Sequence, residues 1–253
     1  MQPTIYLALT HDWELRGDGS GDIEQIQFAP LRRLLEIYAK FGARTTILPD
    51  VMQQLAFRRY EDVDPELKRL GDSWDQHLRD AFLQHHDIQL HLHPQWLNAE
   101  YENGNWQPRG DWSILNYERE TAYEMLASGK QYLEALLTPI DSSYRCLAFR
   151  AGALAAAPSA HLFDSLARLG IELDVSIAGG VFVNNITCNL IIAIAKKRFC
   201  LFIPRWKMRA KFQISARTLS VCRSIISTDL VGPLRDRTSL WRDNRSIVRQ
   251  PLS

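Results

Sequence analysis

The sequence lacks any long hydrophobic run. Its most aliphatic stretch, Leu190 to Ala195, stops at Lys196-Lys197-Arg198, far short of the roughly 20 residues that span a bilayer, so no transmembrane segment is expected. Cysteine is scarce. Cys146, Cys188, Cys200 and Cys222 form no CxxC pair and no disulfide-framework spacing, which points to reduced thiols in a cytoplasmic protein. Met1-Gln2-Pro3-Thr4 carries neither the basic nor the apolar region of a secretory leader, which leads to the same expectation. With 46% hydrophobic and 23% charged residues and no low-complexity tract or repeat, the composition is that of a globular chain able to bury a full core.

A surplus of one charge sign is also missing from the total, which is +1, but the balance is uneven along the chain. Residues 185–253 hold 14 Lys or Arg against Asp229, Asp236 and Asp243, a surplus of 11 positive charges, and residues 1–184 hold a surplus of 10 negative ones. Glutamate is absent from residue 185 onward, and histidine is absent after His161.

What is present in residues 4–178 is an alternation of strand and helix patterns. Ile5 to Thr10 is a short apolar run that ends in His11-Asp12-Trp13-Glu14, and a Gly/Asp-rich loop follows from Arg16 to Asp22. Leu31, Leu34, Leu35, Tyr38 and Phe41 recur at helical spacing up to Gly42. Residues 43–49 suggest a second strand, 64–84 a helix, and 87–93 a third strand stopped by Pro94. Residues 121–137 suggest a helix, 146–150 a strand, 159–170 a helix and 171–177 a strand. Such alternation favours a parallel α/β sheet or barrel.

The unusually polar strand ends all lie on the carboxyl side, where α/β folds assemble their sites. Asp12 and Glu14 stand two apart, so in extended backbone both face one side, where one can ligate a metal and the other take a proton. His91 and His93 likewise share a face, and imidazole is the commonest nitrogen ligand for zinc-like ions. Arg150, beside Gly152, can pair bidentately with a carboxylate and hold it ionised and aimed. Each pattern alone has an ordinary explanation: solvated loop acids, strand-capping histidines, a surface ion pair. Together in one α/β domain they are the parts of a metal-assisted hydrolase. His85 and His86, just before the third strand, are expected at a solvated helix end.

These residues resemble a known family. Leu9-Thr10-His11-Asp12-Trp13-Glu14 is similar to the first motif of polysaccharide deacetylases of the NodB type, carbohydrate esterase family 4, in the variant with Asp-x-Glu. His86 to Pro94 resembles their second motif, although here the two ligand histidines are two residues apart rather than four. Phe149-Arg150-Ala151-Gly152 with Pro158, then Leu169 to Ser176, resembles the later F-R-x-G/P and L-G-F-x-Y-D-S-S stretches. The resemblance covers residues 5–178. It implies an α/β fold, an incomplete (β/α) barrel over residues 1–185, and a divalent metal, often zinc. Glu14, His91 and His93 would be the metal ligands, Asp12 the general base and Arg150 the residue orienting it. The implied reaction removes an N-acetyl group from a sugar or glycan precursor. Trp13 and Trp96, next to the motifs, are candidates to stack on a sugar face.

Residues 186–253 do not continue the pattern. The family's barrel carries further strands there and a late histidine motif that supplies the general acid. A shift of reading frame produces a break of this kind. Back-translation of Leu190 to Leu240 through permitted codons, read in another frame, yields a Glu-containing peptide with an Ile-His-His-Phe segment. The stretch is therefore expected to be a basic tail, out of frame and poorly ordered, and the alternative function is an inactive remnant of such an enzyme. A nucleic-acid-binding protein is disfavoured, because the basic stretch lacks a recognisable binding motif.

Overall fold

A computed structural model describes residues 8–156 and 159–176 in full, together with the backbone of Phe182–Asn185 and Cys188–Ile191. The chain runs β1 (Thr10–Trp13), α1 (Ala29–Lys40), β2 (Thr46–Pro49), α2 (Val51–Tyr60), α3 (Pro65–Leu83), β3 (Asp87–Ile88) and β4 (Leu90–Leu92). It continues through β5 (Glu100–Glu102), β6 (Asn105–Gln107), α4 (Arg119–Leu137), β7 (Ala148–Ala151), α5 (Ala160–Arg168), β8 (Leu173–Asp174), β9 (Phe182–Asn185) and β10 (Cys188–Ile191). The fold is mixed α/β, as expected.

β1, β2 and β3 pair in parallel, and so do β4, β7 and β8. A parallel bridge between Asp50 and His91 joins the two sets. β3 and β4 are one strand interrupted at Gln89. The backbone N–H of Gln89 donates to the Ile47 carbonyl, while its side-chain oxygen accepts from the N–H groups of Leu147 and Ala148 at 2.8 and 2.7 Å. A buried amide side chain thus stands in for a missing rung of the ladder. The parallel strands follow one another in chain order with helices between them, the succession found in part of a (β/α) barrel. Among the described residues it does not close: β1 and β8 each pair on one side only.

The sequence accounts for the helix ends. Asp50 and Asp64 cap α2 and α3, their side chains accepting from the N–H groups of Met52 and Glu66, and Ser159 caps α5 through Leu162. Pro65 occupies the first turn of α3, where its missing N–H costs nothing. α1 buries Leu31, Leu35 and Tyr38 on one stripe, and Gly42, with φ of +61°, lets the chain turn away from its end. Ile47, Leu48, Ile88, Leu90, Leu92 and Phe149 fill the space between strands and helices and are fully buried. No helix of the described residues is long and apolar enough to cross a membrane.

Several boundaries differ from the sequence reading. The first strand begins later, so that Asp12 lies within β1 rather than just past it, and Ile5 to Leu7 lie outside the described residues. Helix α2 and the antiparallel hairpin β5–β6 were not anticipated. A second antiparallel hairpin, β9–β10, pairs Phe182 with Ile191 and Asn185 with Cys188. Apart from the backbone of β10, the basic stretch 186–253 lies outside the described residues, as do Pro158 and Ile177. Cys146 is a buried free thiol, while the side chains of the other three cysteines are outside the described set.

Candidate metal and catalytic site

Three of the predicted residues converge at the carboxyl ends of β1 and β4. Glu14 Oε2 lies 2.8 Å from His91 Nε2 and 3.1 Å from His93 Nδ1. One ligand atom from each of Glu14, His91 and His93 can be chosen so that all lie within 4.8 Å of one another. The two imidazoles meet edge to face, with ring centroids 4.6 Å apart. His91 is held by its other nitrogen: Nδ1 lies 2.8 Å from the carbonyl oxygen of Arg150 and donates to it.

That bond decides what the other side of the ring can do. With the proton on Nδ1, the neutral ring presents a lone pair at Nε2, and this lone pair faces the Glu14 carboxylate. Two acceptors 2.8 Å apart repel and leave each other unmet, at a cost of about 1–3 kcal/mol for such a group. A proton or a cation between them removes the conflict. The donor set of two imidazoles and one carboxylate is that of a zinc-like site with a coordination position left for water or substrate. The residues present therefore fit a divalent ion.

The electrostatics agree. Burial opposes ionisation of Glu14, yet once protons occupy the gaps to the two rings, the hydrogen bonds and charges of His91 and His93 hold its carboxyl down at about 2. Burial likewise opposes a charged His93, but Asp50 and Glu14 outweigh it and raise its pKa to about 10. This corner of the protein holds positive charge firmly.

The predicted base and its partner lie beside the cluster. Arg150 Nη1 donates to Asp12 Oδ1 at 2.6 Å, Nη2 donates to Thr10 Oγ1 at 2.9 Å, and Nε donates to the Val175 carbonyl at 3.3 Å. The guanidinium is therefore fixed at three points, and it presents to solvent a half-exposed carboxylate that it keeps aimed. The same residue touches both halves of the site: its carbonyl orients His91, and its side chain orients Asp12.

Trp13 and Trp96 do not stand where sugar stacking would need them. Trp13 packs against Phe28 and Trp74 and donates its indole N–H to the Gln27 carbonyl at 2.9 Å. Trp96 meets the ring of Trp106 edge to face. They are 5% and 1% exposed, so neither offers a free face. A large aromatic beside a polar strand end is core here because the alternate residues of the strand point inward. His86 also departs from the expected solvated helix end: it is buried, and its Nδ1 accepts from the Thr45 N–H at 3.2 Å.

The structure adds residues the motifs did not single out. Asp50, directly after β2, is 1% exposed; Oδ1 accepts from the His93 N–H at 3.1 Å, and Oδ2 lies 3.2 Å from His93 Nδ1. Its position at a strand's carboxyl end was the available signal. Gly152 was quoted only as part of a motif, but a Cβ there would sit 2.3 Å from Cδ2 of His93 and 2.9 Å from the Leu92 carbonyl. Asp174 accepts from the Ser176 N–H and hydroxyl through Oδ1, and Ser176 Oγ accepts from the Ala151 N–H at 2.7 Å. Burial pushes the Asp174 carboxyl up against those bonds, and its Oδ2 has no partner among the described residues.

No protein-family model matches the chain, and no curated protein matches it. Two solved structures are similar to part of it. One is a family 4 carbohydrate esterase from Streptomyces lividans in complex with acetate, 14% identical, with a TM-score of 0.41 over 69% of this chain and 63% of that one. The other is described as a polysaccharide deacetylase from Mycobacterium smegmatis, 16% identical, with a TM-score of 0.38 over 68% of this chain and 55% of that one. The chain thus spans less than two thirds of the length of either, and at this degree of superposition the chemistry rests on the residues themselves.

Proposed function

We propose that this chain is a metal-dependent hydrolase of the polysaccharide-deacetylase type, which removes the N-acetyl group of a sugar or glycan precursor. The observation that carries the proposal is the placement of the Arg150–Asp12 pair beside the Glu14, His91 and His93 cluster, with Arg150 touching both. Glu14, His91 and His93 would hold the ion, with zinc the best match to two imidazoles and a carboxylate. Bound there, a divalent ion supplies polarisation of the amide carbonyl and acidification of water. Asp12 takes the proton of the attacking water, and Arg150 keeps Asp12 ionised and directed toward it. The products are acetate and a free amine. Four cysteines without disulfide-framework spacing support a cytoplasmic location, with a nucleotide- or lipid-linked precursor or a short oligosaccharide as substrate.

A second reading has its own observation. The leaving amine needs a proton, and the sequence holds no histidine after His161 to give it one. On this reading the chain binds metal but turns over nothing, as an inactive remnant whose residues 186–253 are out of frame.

Metal analysis of the purified chain, combined with acetate release from chito-oligosaccharides and nucleotide-linked N-acetyl sugars, separates the readings. The deacetylase reading expects about one bound zinc-like ion and acetate release, both lost on His91→Ala with His93→Ala. Metal without acetate supports the remnant. An equal metal content in parent and double variant would sink the site assignment.

A further inference from the structure

We infer that Asp50 is the positioning residue of this site: it aims His93 into the Glu14–His91–His93 cluster and supplies the second negative charge there. The inference rests on the metal-site reading and adds a residue to it. A buried carboxylate is costly unless its lone pairs are met, and Asp50 meets most of its own on one residue. Oδ1 accepts from the main-chain N–H of His93 at 3.1 Å, and Oδ2 faces Nδ1 of the same residue at 3.2 Å. Backbone and ring of His93 are thus fixed from one side. From the other side, Gly152 closes on the ring so tightly that a Cβ there would overlap it.

Capping does not explain Asp50. As the cap of α2 it uses only Oδ1, which accepts from the Met52 N–H at 3.2 Å; a serine or asparagine does that as well. Oδ2 is surplus to the cap and is the atom turned to His93. Asp50 does not join the group of atoms within mutual ligand distance, so it acts through His93 rather than as a ligand. Charge gives the second reason. Glu14 and two neutral imidazoles offer one negative charge, so a divalent ion held by them alone would leave an excess of one positive charge in a largely buried place. Asp50 brings the sum to zero. Asp50 and Glu14 face the same ring nitrogen, Nδ1, at 3.2 and 3.1 Å, so the second charge stands at the atom that would meet the ion.

Asp50→Asn tests the role, because its geometry is forced. The Oδ1 position accepts from two backbone N–H groups, so the amide oxygen must stay there and the NH₂ must take the place of Oδ2. The cap survives, one charge goes, and a donor now points at Nδ1. In the full-length chain, chelator competition should show Zn²⁺ and Co²⁺ affinity weakened by about 10- to 100-fold, with a shifted Co²⁺ visible spectrum. The metal-free protein should keep its circular-dichroism spectrum but melt somewhat lower than the parent at neutral pH, because the pairing of Asp50 with His93 is lost. Asp50→Ser, which also keeps the cap but carries no charge, should lose the same affinity. Parent-like affinity and an unchanged Co²⁺ spectrum in either variant would overturn the inference and leave the metal site standing. Failure of the parent chain to bind either ion would overturn the metal site, and this inference with it.

Discussion

The guanidinium of Arg150 donates to Asp12 Oδ1 at 2.6 Å across 138 positions of sequence, while the carbonyl of the same residue holds His91 by Nδ1. The two contacts are separable, because one uses the side chain and the other the main chain. Arg150 therefore ties the aim of the proposed base to the aim of a proposed ligand, and mutation can release the first without the second.

Asp12→Asn is expected to keep the metal and lose turnover. The amide still accepts from Arg150, but it cannot take a proton at neutral pH. The loss should be about 10²- to 10⁴-fold, the usual contribution of a general base. Arg150→Ala should behave similarly, with metal content retained because the residue 150 carbonyl remains. Acetate release by whichever form of the chain is active, measured beside metal content, checks both. An unchanged rate in Asp12→Asn would remove Asp12 from the mechanism.

Gly152→Ala is expected to damage the site and to cost some stability where β4 meets β7, without changing the fold. The new methyl would meet His93 at 2.3 Å and the Leu92 carbonyl at 2.9 Å, and the carbonyl belongs to the β4 backbone and cannot yield cheaply. The ring would be pressed toward Glu14 and Asp50, already 3.1 and 3.2 Å from Nδ1, and must turn out of its present orientation. Metal affinity should fall while the circular-dichroism spectrum of the metal-free protein is kept. Parent-like affinity would show that the ring has room the geometry denies it.

The sequence revealed those parts of the site that follow short-range periodicity. Asp12 and Glu14, and His91 and His93, were paired by period-two spacing, and the structure brings Glu14 together with both histidines. Helices α3 and α4 were legible because each has a polar outer face. Helix α2 was not, because it buries Val51, Met52, Gln53, Gln54, Ala56 and Phe57, which leaves no clean stripe to detect. The β5–β6 hairpin had a signal that was passed over: Asn103 and Gly104 both have positive φ, the two-residue turn that Asn-Gly favours. Asp50 was hidden for another reason. An aspartate before a helix is usually just a cap, and only the tertiary approach of β4 shows that its second oxygen faces a histidine.

The break in composition near residue 185 leads to a genetic prediction. If residues 186–253 are out of frame, DNA from independent isolates should encode a different peptide there, with glutamate and a histidine pair. A frame-restored chain should then release acetate faster than the chain as given, because the late histidine can protonate the leaving amine. The same basic peptide in the same frame across isolates would sink the idea.

Metal binding and stability should depend on pH in opposite senses. His93 in the metal-free protein has its pKa raised from 6.5 to about 10, so at neutral pH it carries a proton that the unfolded chain mostly lacks. Its pairing with Asp50 and Glu14 thus contributes stability that is fully present below about pH 6.5 and lost as pH rises toward 10. Glu14, held at about 2 against a usual 4.5, contributes stability present above 4.5 and lost only as pH falls toward 2. A metal needs His93 neutral, so each ion bound below pH 10 must expel that proton, and apparent affinity should rise about tenfold per pH unit through the neutral range. The melting temperature of the chelator-treated protein should therefore fall between pH 7 and pH 9, while the gain on adding Zn²⁺ grows over the same interval. Chelator competition at several pH values, beside thermal melts with and without Zn²⁺, gives both slopes. A flat affinity profile would show that no proton leaves His93 on binding, and that the ion sits elsewhere.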